Sequence, residues 1–376
     1  MAQYLPYILG AFLVSALCGF IMMPLILRFC KMKGLYDLPN KRKIHKNAVP
    51  RLGGISFLPS MLLASMIVIF TGDYYLHTQQ VSFSLWTLCF FCSLIIIYCT
   101  GIVDDLVGLG ATTKFSAQIL ASILLPFSGL WINNLYGFLG IHAIPFWFGA
   151  PFTVFVIIFA CNAINLIDGI DGLSASLSLF ALTGFLYCFL REGMHLYCIL
   201  IAGLMGVLIP FLYYNIWGDI NKNQKIFMGD SGSLTLGYIL GFLFVKFTMD
   251  NPNVAPFRLD SMMLAYSLLV VPVYDVVRVS LLRLIHGDNI FQADKNHIHH
   301  KLIRAGLNQH QALLSILVLA VLFCMLNILL WPLCNFSFIV VIDIVVWLLF
   351  HIFLNKAILR NGNNPYQANL DKDRHD

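Results

Sequence analysis

The chain has 376 residues, of which 59% are hydrophobic and only 11% charged. A soluble domain carries about 25% charged residues, so this chain lacks the polar groups to cover a water-exposed surface, whereas a bilayer solvates an apolar exterior directly. A formal net charge of +5, not gathered on any soluble face, argues against a nucleic-acid binder. Long apolar runs without period-2 alternation select helices over a barrel as the way to satisfy backbone hydrogen bonds in lipid.

The expected fold class is an all-α integral membrane protein of about eleven transmembrane helices, each needing about 20 apolar residues. The candidate stretches lie near 5–28, 52–71, 83–102, 115–131, 147–164, 173–190, 195–214, 232–249, 260–281, 311–333 and 336–358. They form a single multi-pass unit over 1–376 with a short polar tail from about 359. No charge precedes Arg28, so Met1 to Leu27 lacks the basic start of a cleavable signal and exceeds its apolar core. It reads as a retained spanning helix with its N-terminus outside and Arg28, Lys31 and Lys33 at the cytoplasmic end. That start places 20 of the 23 Lys and Arg on cytoplasmic segments, leaving Arg191, Lys246 and Arg258 on or near the other side. Cys89 and Cys92 form a C-x-x-C inside an apolar run and read as two small hydrophobes rather than a redox pair. The Gly-, Asn- and Trp-containing segment 131–146 reads as a short outside hairpin or interfacial loop.

Five polar loops then fall on the cytoplasmic side, the arrangement expected where a water-soluble substrate meets one that arrives from lipid. The first, Asp37 to Gly54, crowds Lys41, Arg42, Lys43, Lys46 and Arg51 ahead of Gly53 and Gly54. The cations suit anionic lipid, and the glycines allow close approach of backbone to phosphate or to another helix. The second carries the adjacent carboxylates Asp104 and Asp105 directly after an apolar helix, with Lys114 one turn into the next. Two acids at a membrane interface repel each other and call for a cation. In the third, Asn162, Asn165, Asp168 and Asp171 recur every three residues, so a helical turn gathers them on one face as oxygen ligands suited to Mg²⁺. In the fourth, Asp230 stands between Gly229 and Ser231 ahead of a helix, as an N-cap or a metal-binding carboxylate. The fifth places His297, His299 and His300 beside Lys295, Lys301 and Arg304, a set better suited to a diphosphate than to zinc.

The combination PRLGG, DDLVG, NLIDGIDGLS, GDSGS and HIHH resembles the polyprenyl-phosphate N-acetylhexosamine-1-phosphate transferase family from about Asp37 to Gly306. The HIHH loop is similar to the branch that uses UDP-N-acetylglucosamine for O-antigen, enterobacterial common antigen or teichoic-acid linkage. The resemblance implies a bacterial inner-membrane enzyme with its site facing the cytoplasm. The implied reaction moves GlcNAc-1-phosphate from UDP-GlcNAc to undecaprenyl phosphate, releasing UMP. It implies catalytic roles for Asp104, as the carboxylate that deprotonates or positions the lipid phosphate, and for Asp105, in support of the metal region. It implies Asn165 and Asp230 as Mg²⁺ ligands, with Mn²⁺ as a substitute, and substrate contacts from Lys114, Asp168, Asp171, His297, His299 and His300. The partners implied are the two substrates and the bilayer, without nucleic acid; a homodimer is compatible with the sequence. One departure stands at Gly108, where the family's DDxxD motif carries an acid. The rivals are the same reaction with another UDP-N-acetylhexosamine, a prenyl-transferring enzyme, which has little use for a basic HIHH loop, and a multi-pass transporter. A transporter favours ionisable groups in mid-bilayer, and Asp343 is the one good candidate, though it reads as a structural partner of a polar group on a neighbouring helix. Asp275 and Arg278, spaced i, i+3, read as a local pair.

Overall fold

A computed structural model describes residues 3–36, 49–76, 84–253, 255–287 and 295–367. In chain order it contains α1 (Leu5–Lys33), a 3-10 turn (Gly53–Ser56), α2 (Phe57–Leu76), α3 (Leu85–Val107), α4 (Ala111–Phe127) and the strands β1 (Asn134–Phe138) and β2 (Ile141–Ala143). There follow α5 (Phe146–Ile167), α6 (Leu173–Arg191), α7 (His195–Ile216), α8 (Gly229–Thr248), α9 (Ser261–His286), the short α10 (Ile298–Arg304), α11 (Gln309–Leu330) and α12 (Phe336–Arg360).

Each of the eleven expected apolar stretches overlaps a helix. Among the described residues, 9 helical stretches are long and apolar enough to cross a membrane. The two outside that set are α4 and α9. Helix α4 has 17 residues and begins before the apolar part of its sequence, at Ala111, so that Lys114 lies within it. Helix α9 is long, at 26 residues, but carries Asp275, Arg278 and Arg283 in its second half. Residues 134–143 form the antiparallel hairpin β1–β2, with Asn134 opposite Ala143. The Asn134 amide donates to Asp250, and Tyr136 Oη donates to the Thr248 carbonyl at the end of α8.

Helix α8 is the hub, buried along nearly its whole length. Its glycines let neighbouring backbones close in, as small residues do where the hydrophobic effect does not separate helix from lipid. A Cβ at Gly237 would stand 2.6 Å from Cα of Cys161 on α5, and one at Gly241 3.1 Å from Cα of Ile157. Asp343 of α12 accepts from Tyr266 Oη (2.8 Å) and Asn327 Nδ2 (2.9 Å), tying α9, α11 and α12 together. Its partners are fixed helix side chains, as a structural role requires.

Candidate active site

The acidic centre forms where α3 ends and α8 begins. Asp104 and Asp105 belong to the last turn of α3 rather than following it. Gly108, with φ +78°, stops the helix. The departure from the DDxxD pattern therefore serves as a left-handed helix terminator. Leu109 N–H returns to Asp104 Oδ1 (2.6 Å). Asp105 is buried. Its Oδ1 accepts Asp230 N–H (2.8 Å) and its Oδ2 accepts Ser231 N–H (2.9 Å), so it caps α8 from another helix and satisfies two of that helix's unpaired donors.

The first loop reinforces this junction. Phe227 N–H donates to the Pro50 carbonyl (2.7 Å), Gly53 N–H to Phe227 (3.0 Å) and Gly54 N–H to Met228 (2.8 Å). Arg51 Nε donates to the Asp105 carbonyl (2.9 Å). A Cβ on Gly54 would stand 2.1 Å from Gly232 N. These glycines thus serve helix approach, and their N–H groups are spent on carbonyls rather than left for phosphate. Lys41, Arg42, Lys43 and Lys46 lie outside the described residues.

Lys114 connects the two acidic loops. Its Nζ lies 3.2 Å from Asp104 Oδ2 and 2.8 Å from Asp230 Oδ2. Burial opposes its charge, but Asp230 and Asp104 outweigh burial and hold the ammonium above its usual pKa. Asp230 Oδ1 accepts from Asn165 Nδ2 (3.0 Å), and the same amide donates to Ser233 Oγ (2.8 Å). Asp104, Lys114, Asn165 and Asp230, drawn from four helices, therefore form one connected cluster.

The third loop departs from the expected single face. Helix α5 ends at Ile167, so only Asn162 and Asn165 are helical. Asn162 turns to Gln118 of α4 (Nδ2 to Oε1, 2.7 Å). Asp171 pairs with the buried Lys225 (2.8 Å). Gly172, at φ +75°, donates its N–H to Asn215 Oδ1 (2.6 Å), and Asn215 Nδ2 donates to the Ile226 carbonyl (2.7 Å). The turn is thereby tied to the segment leading into Asp230. Asp168 faces the acidic centre. Burial first, then the nearby Asp230, Asp171 and Asp105 charges, push its carboxyl up to about 8.

The histidine loop closes over this turn. The His299 ring is buried against Gly169: a Cβ there would stand 2.0 Å from His299 Nε2. The His297 and His299 rings are parallel with centroids 6.0 Å apart, and His300 lies 4.2 Å from His299. Burial holds His299 well below its ordinary pKa and lowers His300 to about 4. His297 Nδ1 meets Asp275 Oδ2 at 2.9 Å. The expected local pair of Asp275 with Arg278 is present (2.8 Å) but is one part of a wider cluster.

All ten residues singled out from sequence thus lie in five loop and helix-end segments at one end of the bundle. Four contact one another directly, Asp105 braces them, and the His loop reaches them through Gly169. Lys225, Asn215, Ser233 and Gln118 were missed. Lys225 had a signal in its charge, whereas the others become visible only through their partners. Among the described residues no three His, Cys, Asp or Glu side chains form a ready-made metal cage. The carboxylates at the centre instead share Lys114.

Residues 86–248 match the family model described as glycosyl transferase family 4. A Bacillus subtilis protein named "probable undecaprenyl-phosphate N-acetylglucosaminyl 1-phosphate transferase" is 30% identical over 92% of this chain and 88% of its own length. Proteins named undecaprenyl-phosphate alpha-N-acetylglucosaminyl 1-phosphate transferase are also similar. That of Yersinia pestis is 28% identical over 78% of this chain and 76% of its own length. That of Escherichia coli is 29% identical over 80% of this chain and 78% of its own length.

Proposed function

The chain belongs to glycosyl transferase family 4, among its membrane-embedded polyprenyl-phosphate sugar-1-phosphate transferases, and we propose that it transfers GlcNAc-1-phosphate from UDP-GlcNAc to undecaprenyl phosphate. The products are undecaprenyl-diphosphate-GlcNAc and UMP. The observation that carries this reading is the Lys114 ammonium set between Asp104 (3.2 Å) and Asp230 (2.8 Å), with Asn165 on the other oxygen of Asp230. Phosphoryl transfer asks a protein mainly to position two anions and to neutralise charge, and this cluster offers fixed charges of both signs at a helix junction.

In the proposed reaction an oxygen of the lipid phosphate attacks the sugar-bearing phosphorus. The new P–O bond completes the lipid diphosphate while the bond to the UMP oxygen breaks. Asp104, partly exposed and steadied by Leu109 N–H, positions the incoming phosphate and takes up its proton where one is present. Lys114 neutralises the transferred phosphoryl group. His297 and His300 grip the donor diphosphate, His299 seats that loop on Gly169, and Asp168 and Asp171 shape the nucleotide turn.

The donor chemistry fits a hard divalent cation. Carboxylates outnumber the single ammonium at the centre, burial and then its acidic neighbours hold the Asp168 proton up to about 8, and the side-chain amide oxygen of Asn165, whose Nδ2 is taken by Asp230 and Ser233, is left for a ligand. Asp230 and Asn165, with Asp168 beside them, would hold Mg²⁺ or Mn²⁺. Such an ion, when bound, supplies Lewis-acid stabilisation of the departing UMP.

We further place the site at the cytoplasmic face of a bacterial inner membrane, from the distribution of Lys and Arg along the chain. The lipid product there initiates an envelope glycan of the O-antigen, common-antigen or teichoic-linkage kind. A panel of UDP-N-acetylhexosamines offered to purified protein with undecaprenyl phosphate, with Mg²⁺ or with EDTA, tests the proposal. UMP release is expected with UDP-GlcNAc, lipid phosphate and Mg²⁺ together. Release without lipid, or with none of the sugars, would refute it.

A further inference from the structure

We propose that Asp275 is a positioning residue that fixes His297 and the first turn of α10 as one preformed diphosphate grip. This rests on the transferase reading above, because it concerns the same site. Asp275 lies in the second half of α9 and is fully buried. A local pair with Arg278 would occupy one oxygen. Instead Oδ1 accepts both Arg278 Nη2 (2.8 Å) and Ile298 N–H (2.9 Å), while Oδ2 faces His297 Nδ1 (2.9 Å). Arg278 Nη2 also donates to the Asn296 carbonyl. Residues 296, 297 and 298 are thus all held by one carboxylate–guanidinium pair on α9.

The chemistry of that hold is directional. An anionic partner at Nδ1 keeps the proton on that nitrogen, so Nε2 is the nitrogen left to act. When Nε2 also binds a proton, Asp275 offsets the imidazolium charge, and a diphosphate oxygen accepts a charge-assisted hydrogen bond from Nε2. The same anchoring places His299, two residues on, against Gly169 and hence beside Asp168. Asp275 therefore acts on the site through His297 and α10 without touching substrate.

A double-mutant cycle on UDP affinity, by calorimetry with the purified protein in lipid nanodiscs, tests this role. Asp275→Asn retains an oxygen for Ile298 N–H but loses the anion at Nδ1. Asp275→Asn and His297→Ala should each weaken UDP binding about tenfold, the scale on which outer partners of a ligating histidine act. The double variant should bind no more weakly than His297→Ala alone, because the first residue works through the second. Multiplicative losses, or an unchanged affinity in Asp275→Asn, would overturn the proposal. If Asp275→Asn does not fold, ¹⁵N NMR of the wild-type protein decides. The His297 signal, identified by its loss in His297→Ala, should show a protonated Nδ1, and a bare Nδ1 would overturn the role. Wild-type turnover separates the two ideas. An inactive wild type strikes the transferase reading, whereas a failed cycle in an active protein strikes only Asp275.

Discussion

Asp105 and Asp230 stand 125 residues apart, yet Asp105 Oδ1 accepts the backbone N–H of Asp230 at 2.8 Å while its Oδ2 takes Ser231 N–H. The two adjacent aspartates at the end of α3 consequently do different work. Asp105 is spent on holding the start of α8, and Asp104 is left facing the cluster. Asp105→Ala strands two buried donors, each costing about 1–3 kcal/mol. Its melting temperature in detergent should fall clearly, and turnover should fall with the folded fraction. Asp105→Asn keeps one acceptor and should lie between.

Lys114→Met should separate charge neutralisation from scaffolding. Without the ammonium, Asp104 and Asp230 are left as a carboxylate pair. Turnover should drop about 10²-fold, the scale of losing one transition-state charge donor. The carboxylate pair should meanwhile attract a divalent cation more strongly. Half-saturating Mg²⁺, read from thermal stabilisation, should therefore decrease. A weaker Mg²⁺ response would place Lys114 outside the cation's surroundings.

Gly169→Ala tests the contact between the third and fifth loops. Its Cβ would fall 2.0 Å from His299 Nε2, so the ring and α10 must shift. UDP affinity should fall at least about tenfold, in line with a displaced histidine partner, while α-helix content by circular dichroism is unchanged. Wild-type affinity would mean that the His loop moves independently of the nucleotide turn.

Asp168 gives a pH signature. Its pKa rises from 3.8 to about 8 on folding. Between those values the folded protein keeps a proton that the unfolded chain has released. The Asp168 contribution to stability therefore declines as pH rises through that interval. In metal-free protein, Asp168→Asn should flatten the fall in melting temperature between about pH 5 and 8. Identical slopes in both proteins would contradict the crowding of Asp168 against the other acids of the centre.

Much of this was legible in the sequence because apolar runs report helices and loop motifs report chemistry. Helix ends were less so. Helix α1 continues to Lys33 and α9 to His286, past the apolar residues, because helical hydrogen bonding does not stop where hydrophobicity does. The even spacing of Asn162, Asn165, Asp168 and Asp171 suggested one helical face, but α5 ends between the second and third, and the four side chains fan out to Gln118, Asp230, the acidic centre and Lys225. Asp275 read as a local partner of Arg278 because a bond to a residue 22 positions away leaves no periodic trace.

The most direct measurement follows the phosphorus. With UDP-GlcNAc labelled at the β-phosphate, purified protein, undecaprenyl phosphate and Mg²⁺, the label should appear in the lipid product alongside unlabelled UMP. Label retained in released UDP would mean that the sugar moves without its phosphate, and would contradict sugar-1-phosphate transfer at the Asp104–Lys114–Asp230 cluster.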